Sequence, residues 1–180
     1  MGKLLYSATM SLDGFIAGPG GDMGWLTRYI GPNQEAEDLV TEIGALLVGR
    51  RTFTGDDPHR GTEGEGKAFG GGWDGPQFVL SRHPPAEPVA GVTFVSDLAH
   101  GVAEAKAAAG EKSVNVLGAA VARACVDAAL LDEVAVFVAP VLLGGGVRLF
   151  ERPEGAPVPL ERISQSAVPL ATNLRFRVLR

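Results

Sequence analysis

Short apolar runs alternate with polar and glycine-rich segments along the chain, and this pattern predicts strands and helices in alternation. The apolar and β-branched runs have the length of buried strands, whereas the longer alanine-rich segments have the composition of helices. The predicted strands are Lys3–Met10, Ala45–Val48, Gln77–Leu80, Val92–Val95, Ser113–Leu117 and Val134–Ala139. Such an alternation is typical of an α/β sandwich with a mostly parallel central sheet.

Three segments carry the start and stop signals of helices. Pro32 precedes the acidic stretch Asn33–Val40, where early acids favour the helix N-terminus. Ser96 is the predicted N-cap of an alanine-rich helix that Gly110 ends. A third helix, residues 119–128, follows the glycine at 118 directly.

The last part of the chain changes to partial two-residue alternation. Leu160–Ser166 and Asn173–Leu179 lie on either side of a turn near Pro169. They predict an antiparallel hairpin at the edge of the sheet. We therefore expect a three-layer α/β sandwich with a mixed, mostly parallel sheet, formed by residues 1–180 as a single domain.

Two glycine-rich loops interrupt the regular pattern. The segment from Asp13 to Trp25 carries Phe15, Ile16 and Met23 between glycines, which fits either a lid over a ligand or a surface loop pinned by its own aromatic residues. The segment 55–75 contains eight glycines and has no helix or strand signal through most of its length. Its length favours a binding loop or a disordered one.

Composition narrows the class of protein. A hydrophobic content of 46% with 21% charged residues is ordinary for a soluble globular protein, and a net charge of −5 argues against an extended nucleic-acid surface. The single cysteine, Cys125, excludes an intramolecular disulfide, and no apolar stretch is long enough to span a membrane. We expect a cytoplasmic protein with no membrane or nucleic-acid partner.

Residues that suit an anionic ligand follow three of the predicted strands. They are Gly49–Thr52 after the second strand, Ser81-Arg82 after the third, and Gly118–Val121 after the fifth. Arginines offer planar donors to phosphate, and the first amides of a helix favour an anion. Since ligands of open α/β sheets lie across the carboxyl ends of the strands, the three could hold one extended polyphosphate ligand. Solvated arginines and a plain strand-to-helix turn are the simpler alternatives.

No residue spacing predicts a metal site. His59, His83 and His100 are scattered, and the chain has neither an H-x-x-x-H nor a cysteine-based pattern. Acidic candidates for catalysis or substrate binding are Asp13, Glu35, Asp38 and Asp57, although each also has a turn or a helix start to explain it.

The motifs, taken in order, resemble those of the dihydrofolate reductase superfamily, and most closely its RibD C-terminal domain branch. The residues that carry the resemblance are Thr9–Ala17, Trp25-Leu26, Val48–Phe53, Leu80–Arg82 and Leu117–Ala120, and for the branch Thr54–Pro58, Leu130–Glu133 and Pro140–Gly146. The resemblance covers nearly the whole chain. One departure is Gly118-Ala119, where dihydrofolate reductases usually have two glycines.

The resemblance implies an NADPH-dependent reductase with the dihydrofolate reductase fold, often a homodimer in the riboflavin branch. Gly49, Arg50, Arg51 and Thr52 are then expected to bind cofactor phosphates, with Ser81 and Arg82 around the adenosine 2′-phosphate. Gly118, Ala119, Ala120 and Val121 are expected to face the pyrophosphate, and Thr9 and Ile16 the nicotinamide. The candidate substrate residues are Trp25, Glu35, Asp38 and Asp57, and the candidate catalytic residue is Asp13.

Three functions stay open on the sequence. The first is transfer of hydride from NADPH to a C=N or C=O bond of a small heterocyclic or carbonyl substrate. The second is the riboflavin step itself, by a stand-alone 5-amino-6-(5-phosphoribosylamino)uracil reductase. The third is an NADP(H)-binding protein that has lost catalysis.

Overall fold

The computed structural model describes residues 2–153 and 155–180 of the chain and is built around one eight-stranded sheet. The strand order is β5-β4-β3-β6-β1-β7-β10-β9, and β2 and β8 form a separate two-stranded sheet. The strands are β1 (Leu4–Ser11), β2 (Phe15–Ala17), β3 (Ile43–Gly49), β4 (Gln77–Leu80), β5 (Val92–Val95), β6 (Ser113–Leu117), β7 (Glu133–Ala139), β8 (Val147–Arg148), β9 (Leu160–Val168) and β10 (Ala171–Val178).

Helices and loops cover both faces of this sheet. The helices are α1 (Gln34–Thr41), α2 (Arg50–Phe53), α3 (Leu98–Ala109) and α4 (Ala119–Asp127). Helices α3 and α4 pack on one face through Val102, Ala105 and Cys125. On the other face, Leu39 of α1 packs together with Phe69 and Trp73 of the long glycine-rich loop. Apolar side chains on both faces give the three layers that the sequence predicts.

Six strands are joined to one another by parallel pairings, and the last two strands add antiparallel pairings, as the sequence predicts. β1, β3, β4, β5, β6 and β7 are joined by parallel pairings, whereas β10 pairs antiparallel with both β7 and β9. The predicted bounds of β4, β5 and β6 agree with the structure. The N-cap of α3 differs by one residue, because the side chain of Asp97 rather than that of Ser96 accepts the His100 amide at 2.8 Å.

Strand β1 changes neighbours along its length. Its first half pairs with β6 only as far as Tyr6 opposite Val116, whereas its pairing with β7 continues from Leu5 to Ser11. Strand β6 ends at Leu117, and Gly118 then leads into α4. The carboxyl half of β1 therefore pairs with β7 alone, and we call the place beside β1 beyond its last pair with β6 the cleft.

An ionic network ties the opposite, amino-terminal edge of the sheet to the C-terminal hairpin. Glu133, which is 2% exposed, binds Lys3 and accepts a hydrogen bond from Arg175 Nε at 2.9 Å. The other guanidinium nitrogens of Arg175 donate to Glu42 at 3.0 and 2.7 Å. These bonds lower the pKa of Glu42, and the pair of carboxylates raises the pKa of Arg175. The network holds α1, β1, β7 and β10 together.

None of the helices in the described part of the chain combines the length and apolarity needed to cross a membrane.

Replacement of the buried carboxylate tests this network. We expect Glu133→Gln to lower the free energy of unfolding by about 2 kcal/mol, because it removes the buried charge that pairs with Lys3 and with the Nε of Arg175 and leaves Arg175 only its bonds to Glu42. Glu161→Gln is the matched control, since its partner Arg177 and Glu161 itself are about half exposed, and we expect it to change stability by about 0.5 kcal/mol or less. Urea unfolding at pH 7 measures both, and equal losses in the two variants would contradict the assignment.

Candidate active site

The predicted phosphate residues meet at the carboxyl edge of β3 and β6. These strands are neighbours, with Val48 opposite Leu117, so the segments after them start side by side. A methyl group placed on Gly118 would lie 2.5 Å from Thr52 Oγ1, and one placed on Gly49 would lie 3.1 Å from Val121. The structure thus brings together Gly49, Thr52, Gly118 and Val121.

Gly118 makes the close approach possible through its backbone. Its φ is +108°, a conformation that L residues rarely adopt, and it is the N-terminal flanking residue of α4. Ala119 is already the first residue of the helix. A single glycine therefore suffices for this turn, and the position of the second glycine in dihydrofolate reductases is here a helical residue that tolerates a side chain.

The N-terminus of α4 offers unpaired amides at the same place. The first intrahelical bond runs from the Ala122 amide to the Gly118 carbonyl at 3.0 Å, which leaves the amides of residues 119, 120 and 121 free of that ladder. Such amides, together with the helix dipole, favour an anion.

Three exposed arginines surround this edge. Arg50 and Arg51 follow Gly49 in α2, and Arg82 follows β4, the neighbour of β3 on the far side from β6. None of the three forms an ion pair with another described residue. Their charges are therefore available to an anionic ligand.

Ser81 lies at the end of β4 and is 7% exposed. Its amide donates to the carbonyl of Val95 at 2.8 Å, and its Oγ accepts the His83 amide at 3.1 Å. These bonds fix the turn that presents Arg82. Because Leu80 pairs with Gly49, this turn stands beside the Gly49–Thr52 segment.

Thr9 lies in the strand beside the cleft, and Ile16 lies in the short strand that follows it along the chain. Thr9 is half-buried in the carboxyl half of β1, where β1 has parted from β6. Ile16 is half-buried in β2, which begins four residues after the end of β1 and pairs with β8. Phe15 in the same short strand stacks under the guanidinium of Arg148, with 4.6 Å between the guanidinium carbon and the ring centroid.

Asp13 acts as a tie between two loops. Its Oδ1 accepts hydrogen bonds from Ser11 Oγ at 2.6 Å and from the Leu143 amide at 3.0 Å, and its Oδ2 accepts from the Gly144 amide at 2.7 Å. The Ser11 bond and the two amides lower the pKa of Asp13 to about 2. A carboxylate bound in this way holds the β1–β2 turn to the loop before β8, and it carries no proton to donate at neutral pH.

Trp25 and Asp57 lie in two loops that contact each other. Asp56 accepts the Met23 amide at 3.0 Å, and Thr27 donates to the Pro58 carbonyl at 3.3 Å. Asp57 itself is tied within its own loop: burial opposes its ionisation, but amides of Gly66 and His59 outweigh that effect and lower its pKa. The indole nitrogen of Trp25 is buried and has no hydrogen-bond partner among the described residues.

Glu35 and Asp38 line a cavity of about 170 Å³ between α1 and the strands β7, β9 and β10. The strands contribute Ala135 and Phe137 of β7, Ser164 of β9, and Leu174 and Arg175 of β10 to its walls. Thr9 pairs with Phe137, so the cavity begins one strand away from the cleft beside β1. No described contact joins Glu35 or Asp38 to Trp25 or Asp57.

Several residues that shape the site are missed by sequence reasoning. Asn33 and Asn173 exchange amide hydrogen bonds of 2.9 and 3.0 Å, which holds the start of α1 against the hairpin. Phe137 and Arg175 line the cavity although both lie within regular strands. An asparagine or arginine in an otherwise apolar strand is the only signal that the sequence offers for such contacts.

Within residues 2–153 and 155–180, no group of three or more His, Cys, Asp or Glu side chains could hold a metal ion.

A family model described as the RibD C-terminal domain matches residues 2–168 of the chain. No curated protein sequence matches the chain.

Solved structures of related proteins share the fold. A candidate riboflavin biosynthesis protein from Shewanella sp. PV-4 is 26% identical, with a TM-score of 0.74 and 99% of each chain covered. A deaminase/5-amino-6-(5-phosphoribosylamino)uracil reductase from Thermotoga maritima is 19% identical, with a TM-score of 0.72. The match covers 99% of this chain but 57% of that one. Dihydrofolate reductase from Enterococcus faecalis, solved with NADP(H), is 17% identical over 99% of this chain and 97% of its own, with a TM-score of 0.63.

Replacement of Gly118 tests the close approach at the edge of β6. Gly118→Ala forces an L residue into a positive φ and drives its methyl group against Thr52, so we expect a larger stability loss than from the positive φ alone. The same change in a Thr52→Ala background isolates the backbone effect, because the nearest remaining atoms, Thr52 Cβ and Gly49 N, would lie 3.5 and 3.8 Å from the added methyl group. We expect the loss from Gly118→Ala to be smaller in that background by about 1 kcal/mol or more. Thermal unfolding compares the two losses, and equal losses in the two backgrounds would refute the contact.

The pH dependence of stability tests the tie made by Asp13. Its folded pKa lies below its ordinary value of 3.8, so its contribution is present above that value and is lost as the pH falls through about 2. We expect the melting temperature of the wild type to exceed that of Asp13→Asn near pH 6, and the difference to shrink between about pH 4 and pH 2. A difference that stays constant down to pH 2 would mean that the charge of Asp13 does not hold the loop.

Proposed function

The chain belongs to the RibD C-terminal domain family, and from this premise we propose that it is an NADPH-dependent reductase of a small heterocyclic or carbonyl substrate. The proposal assigns hydride transfer to a C=N or C=O carbon. Its relatives among the solved structures include reductases of riboflavin biosynthesis and a dihydrofolate reductase.

The observation that carries the proposal is the contact between Gly118 and Thr52. Thr52 Oγ1 occupies the space that a side chain at position 118 would need, so the chain at this point presents only backbone and the Thr52 hydroxyl. The amides of the first turn of α4 lie next to it, and a phosphate needs such close access to backbone donors. These amides and the helix dipole suit the charge of a pyrophosphate.

The arginines supply the positive charge that the rest of the cofactor needs. We assign Arg50, Arg51 and Thr52 to the cofactor phosphates, and Ser81 with Arg82 to the adenosine 2′-phosphate. Arginine binds phosphate with two parallel hydrogen bonds, which makes it suited to this role. A ligand spread from Gly118 to Arg82 crosses the ends of β6, β3 and β4, which are consecutive in the sheet.

The nicotinamide end is assigned to the cleft between β1 and β6. Thr9 lies in the part of β1 beyond its last pair with β6, and Ile16 lies in the short strand that follows β1. We assign the Asp13–Trp25 loop to the cover over this end of β1. When bound there, NADPH supplies the hydride. The protein orients the ring against β1 and excludes water with the loop.

The substrate is assigned to the neighbouring cavity under α1. Its carboxylates, Glu35 and Asp38, could accept hydrogen bonds from ring nitrogens, and Phe137 offers an aromatic edge. Trp25 and Asp57 stay proposed substrate residues, in two loops that contact each other but have no described contact with Glu35 or Asp38. Thr9 pairs with Phe137 on the adjacent strand, which supports neighbouring positions for the proposed nicotinamide and substrate.

Asp13 is not retained as the proton donor in this proposal. Both of its carboxylate oxygens accept hydrogen bonds, and its lowered pKa keeps it ionised. A proton that reaches the substrate heteroatom then comes from water or through a hydroxyl group beside the cleft. The orientation of the nicotinamide ring against β1 sets the direction of the hydride transfer and of the proton transfer.

The two alternatives make different demands on the same site. A stand-alone 5-amino-6-(5-phosphoribosylamino)uracil reductase must turn over that pyrimidine. A non-catalytic NADP(H)-binding protein must bind the cofactor, and Arg50→Ala or Arg51→Ala then affects affinity alone. In a reductase the same variants also lose NADPH oxidation.

The broader assignments follow the family. We propose a single cytoplasmic domain that works as a homodimer. Strand β9 ends the sheet, and it leaves Leu160 and Ile163 47% and 43% exposed at an unpaired edge, which suits association with a second copy. Sedimentation of the wild-type protein tests the dimer.

Titration with NADPH and with NADH tests the cofactor assignment. We expect the wild type to bind NADPH in the micromolar range and NADH much more weakly. We expect Arg82→Ala to weaken NADPH binding by about 10- to 100-fold, because one charged hydrogen bond is worth about 1.5–3 kcal/mol. NADH affinity should be unchanged, since NADH lacks the 2′-phosphate. Calorimetry or quenching of the Trp25 and Trp73 fluorescence provides the measurement.

Arg162→Ala is the matched control for this titration. Arg162 is an exposed arginine of β9 with no ion pair to a described residue, and it lies in the edge strand, far along the sheet from β4. We expect its NADPH affinity to equal that of the wild type. Equal losses of NADPH affinity in Arg82→Ala and Arg162→Ala would attribute the effect to net charge alone. Failure of the wild type to bind either dinucleotide would overturn the cofactor assignment.

A further inference from the structure

Asn115 lies in the centre of the sheet and is fully buried, with an exposed fraction of 0%. Both polar atoms of its side-chain amide, Oδ1 and Nδ2, lack a hydrogen-bond partner in the described part of the chain. Buried amides are nearly always satisfied by protein or by an ordered water, because the desolvation of an unsatisfied one is costly. The residue therefore needs a partner that is not a protein group.

The register of the sheet fixes the surroundings of this amide. Asn115 pairs with Leu5 of β1 and with Leu46 of β3, and both leucines belong to the core under α1. Side chains alternate between faces along a strand, so Ser7 of β1 projects to the same face as Leu5. Ser7 is two residues beyond the pair, and it is the diagonal neighbour of Asn115 toward the cleft.

Ser7 stands at the boundary between this core and the cavity. It is 6% exposed and pairs with Ala135, which lines the cavity beside Phe137. It is also the first residue of β1 beyond the last pair with β6. A hydroxyl at this point can bond inward, toward Asn115, and outward, toward a molecule in the cavity.

We propose that Asn115 is a positioning residue that holds one internal water molecule, and that this water links its amide to the hydroxyl of Ser7, the strand partner of Ala135 in the cavity wall. A water can accept from Nδ2 and donate to Oδ1 or to Ser7 Oγ, which gives it the two to four partners that internal waters have. The water fixes the rotation of the Ser7 hydroxyl. Ser7 then presents a defined donor or acceptor to a polar group of the substrate.

The water site itself is independent of the reductase assignment, and only the role of Ser7 toward a substrate rests on the proposed function. No protonation change is required, since neither the carboxamide nor the hydroxyl titrates in the physiological range.

A crystal structure at a resolution that reveals internal waters tests the site directly. We expect density for one water within about 3.2 Å of the Asn115 amide and of Ser7 Oγ. A dry amide, or an amide that bonds a protein group instead, would overturn the proposal.

A double-mutant cycle tests the link without any ligand. We expect Asn115→Val and Ser7→Ala each to lower the melting temperature, and the double variant to lose no more than the larger single loss, because either change releases the same water. Full additivity would contradict the link. A rise in melting temperature for Asn115→Val would also contradict it, since removal of an unsatisfied amide is stabilising. If Asn115→Val does not fold, Ser7→Ala and the crystal structure still decide the question.

Ser81→Ala provides the matched control for the cycle. Ser81 is buried to the same degree as Ser7 but lies at the end of β4, two strands away from β6. We expect its loss to add to that of Asn115→Val.

Kinetics separate positioning from a purely structural role. With 5-amino-6-(5-phosphoribosylamino)uracil or dihydrofolate as the probe, we expect Asn115→Val to raise KM several-fold while NADPH affinity stays unchanged, and Asn115→Gln to recover part of the loss. An unchanged KM alongside a lost water would restrict Asn115 to stability and overturn the positioning role. If the wild type neither binds NADPH nor reduces a probe, the proposed function fails, and the water density and the cycle still decide the site.

Discussion

The early end of the pairing between β1 and β6 is the constraint on which the site depends. After Tyr6 and Val116 the two strands separate, since β6 stops at Leu117 and Gly118 sends the chain into α4. Strand β1 continues beside β7 alone, so one side of its carboxyl half is open to a ligand. A longer β6 would fill the cleft with backbone hydrogen bonds, and the sheet would have no place for a ring between its central strands.

Acidic residues in this protein mostly hold structure together. Asp13, Asp56 and Asp57 each accept backbone amides across a loop, and Glu133 neutralises Arg175 at the amino-terminal edge. Loops rich in glycine lack side chains to pack, so carboxylate-to-amide bonds are an efficient way to fix them. Asp13 and Asp57, two of the acids that look chemical in the sequence, are therefore committed to structure, whereas Glu35 and Asp38 line the cavity.

The sequence predicts the fold better than it predicts the site. Short apolar runs such as Gln77–Leu80 and Ser113–Leu117 are most stable as buried parallel strands. Their predicted bounds are confirmed. The meeting of Gly49 and Gly118 follows in turn from adjacency of parallel strands at their carboxyl ends. The pairing of Asn33 with Asn173 does not follow from any local pattern, because it joins residues 140 positions apart. The role of Asp13 is likewise missed, since its partners at positions 143 and 144 are backbone amides without a residue-specific signal.

The distribution of arginines gives the molecule a polarity that its net charge of −5 conceals. Arg175 and Arg180 are neutralised by carboxylates at the amino-terminal edge of the sheet, where Glu133 and Asp132 lie. At the carboxyl edge, Arg50, Arg51 and Arg82 have no such partners among the described residues. Positive potential therefore concentrates where α4 also presents its N-terminus. An acidic protein can in this way attract a polyanion to one edge, and screening by salt should weaken that attraction more than it weakens the fold.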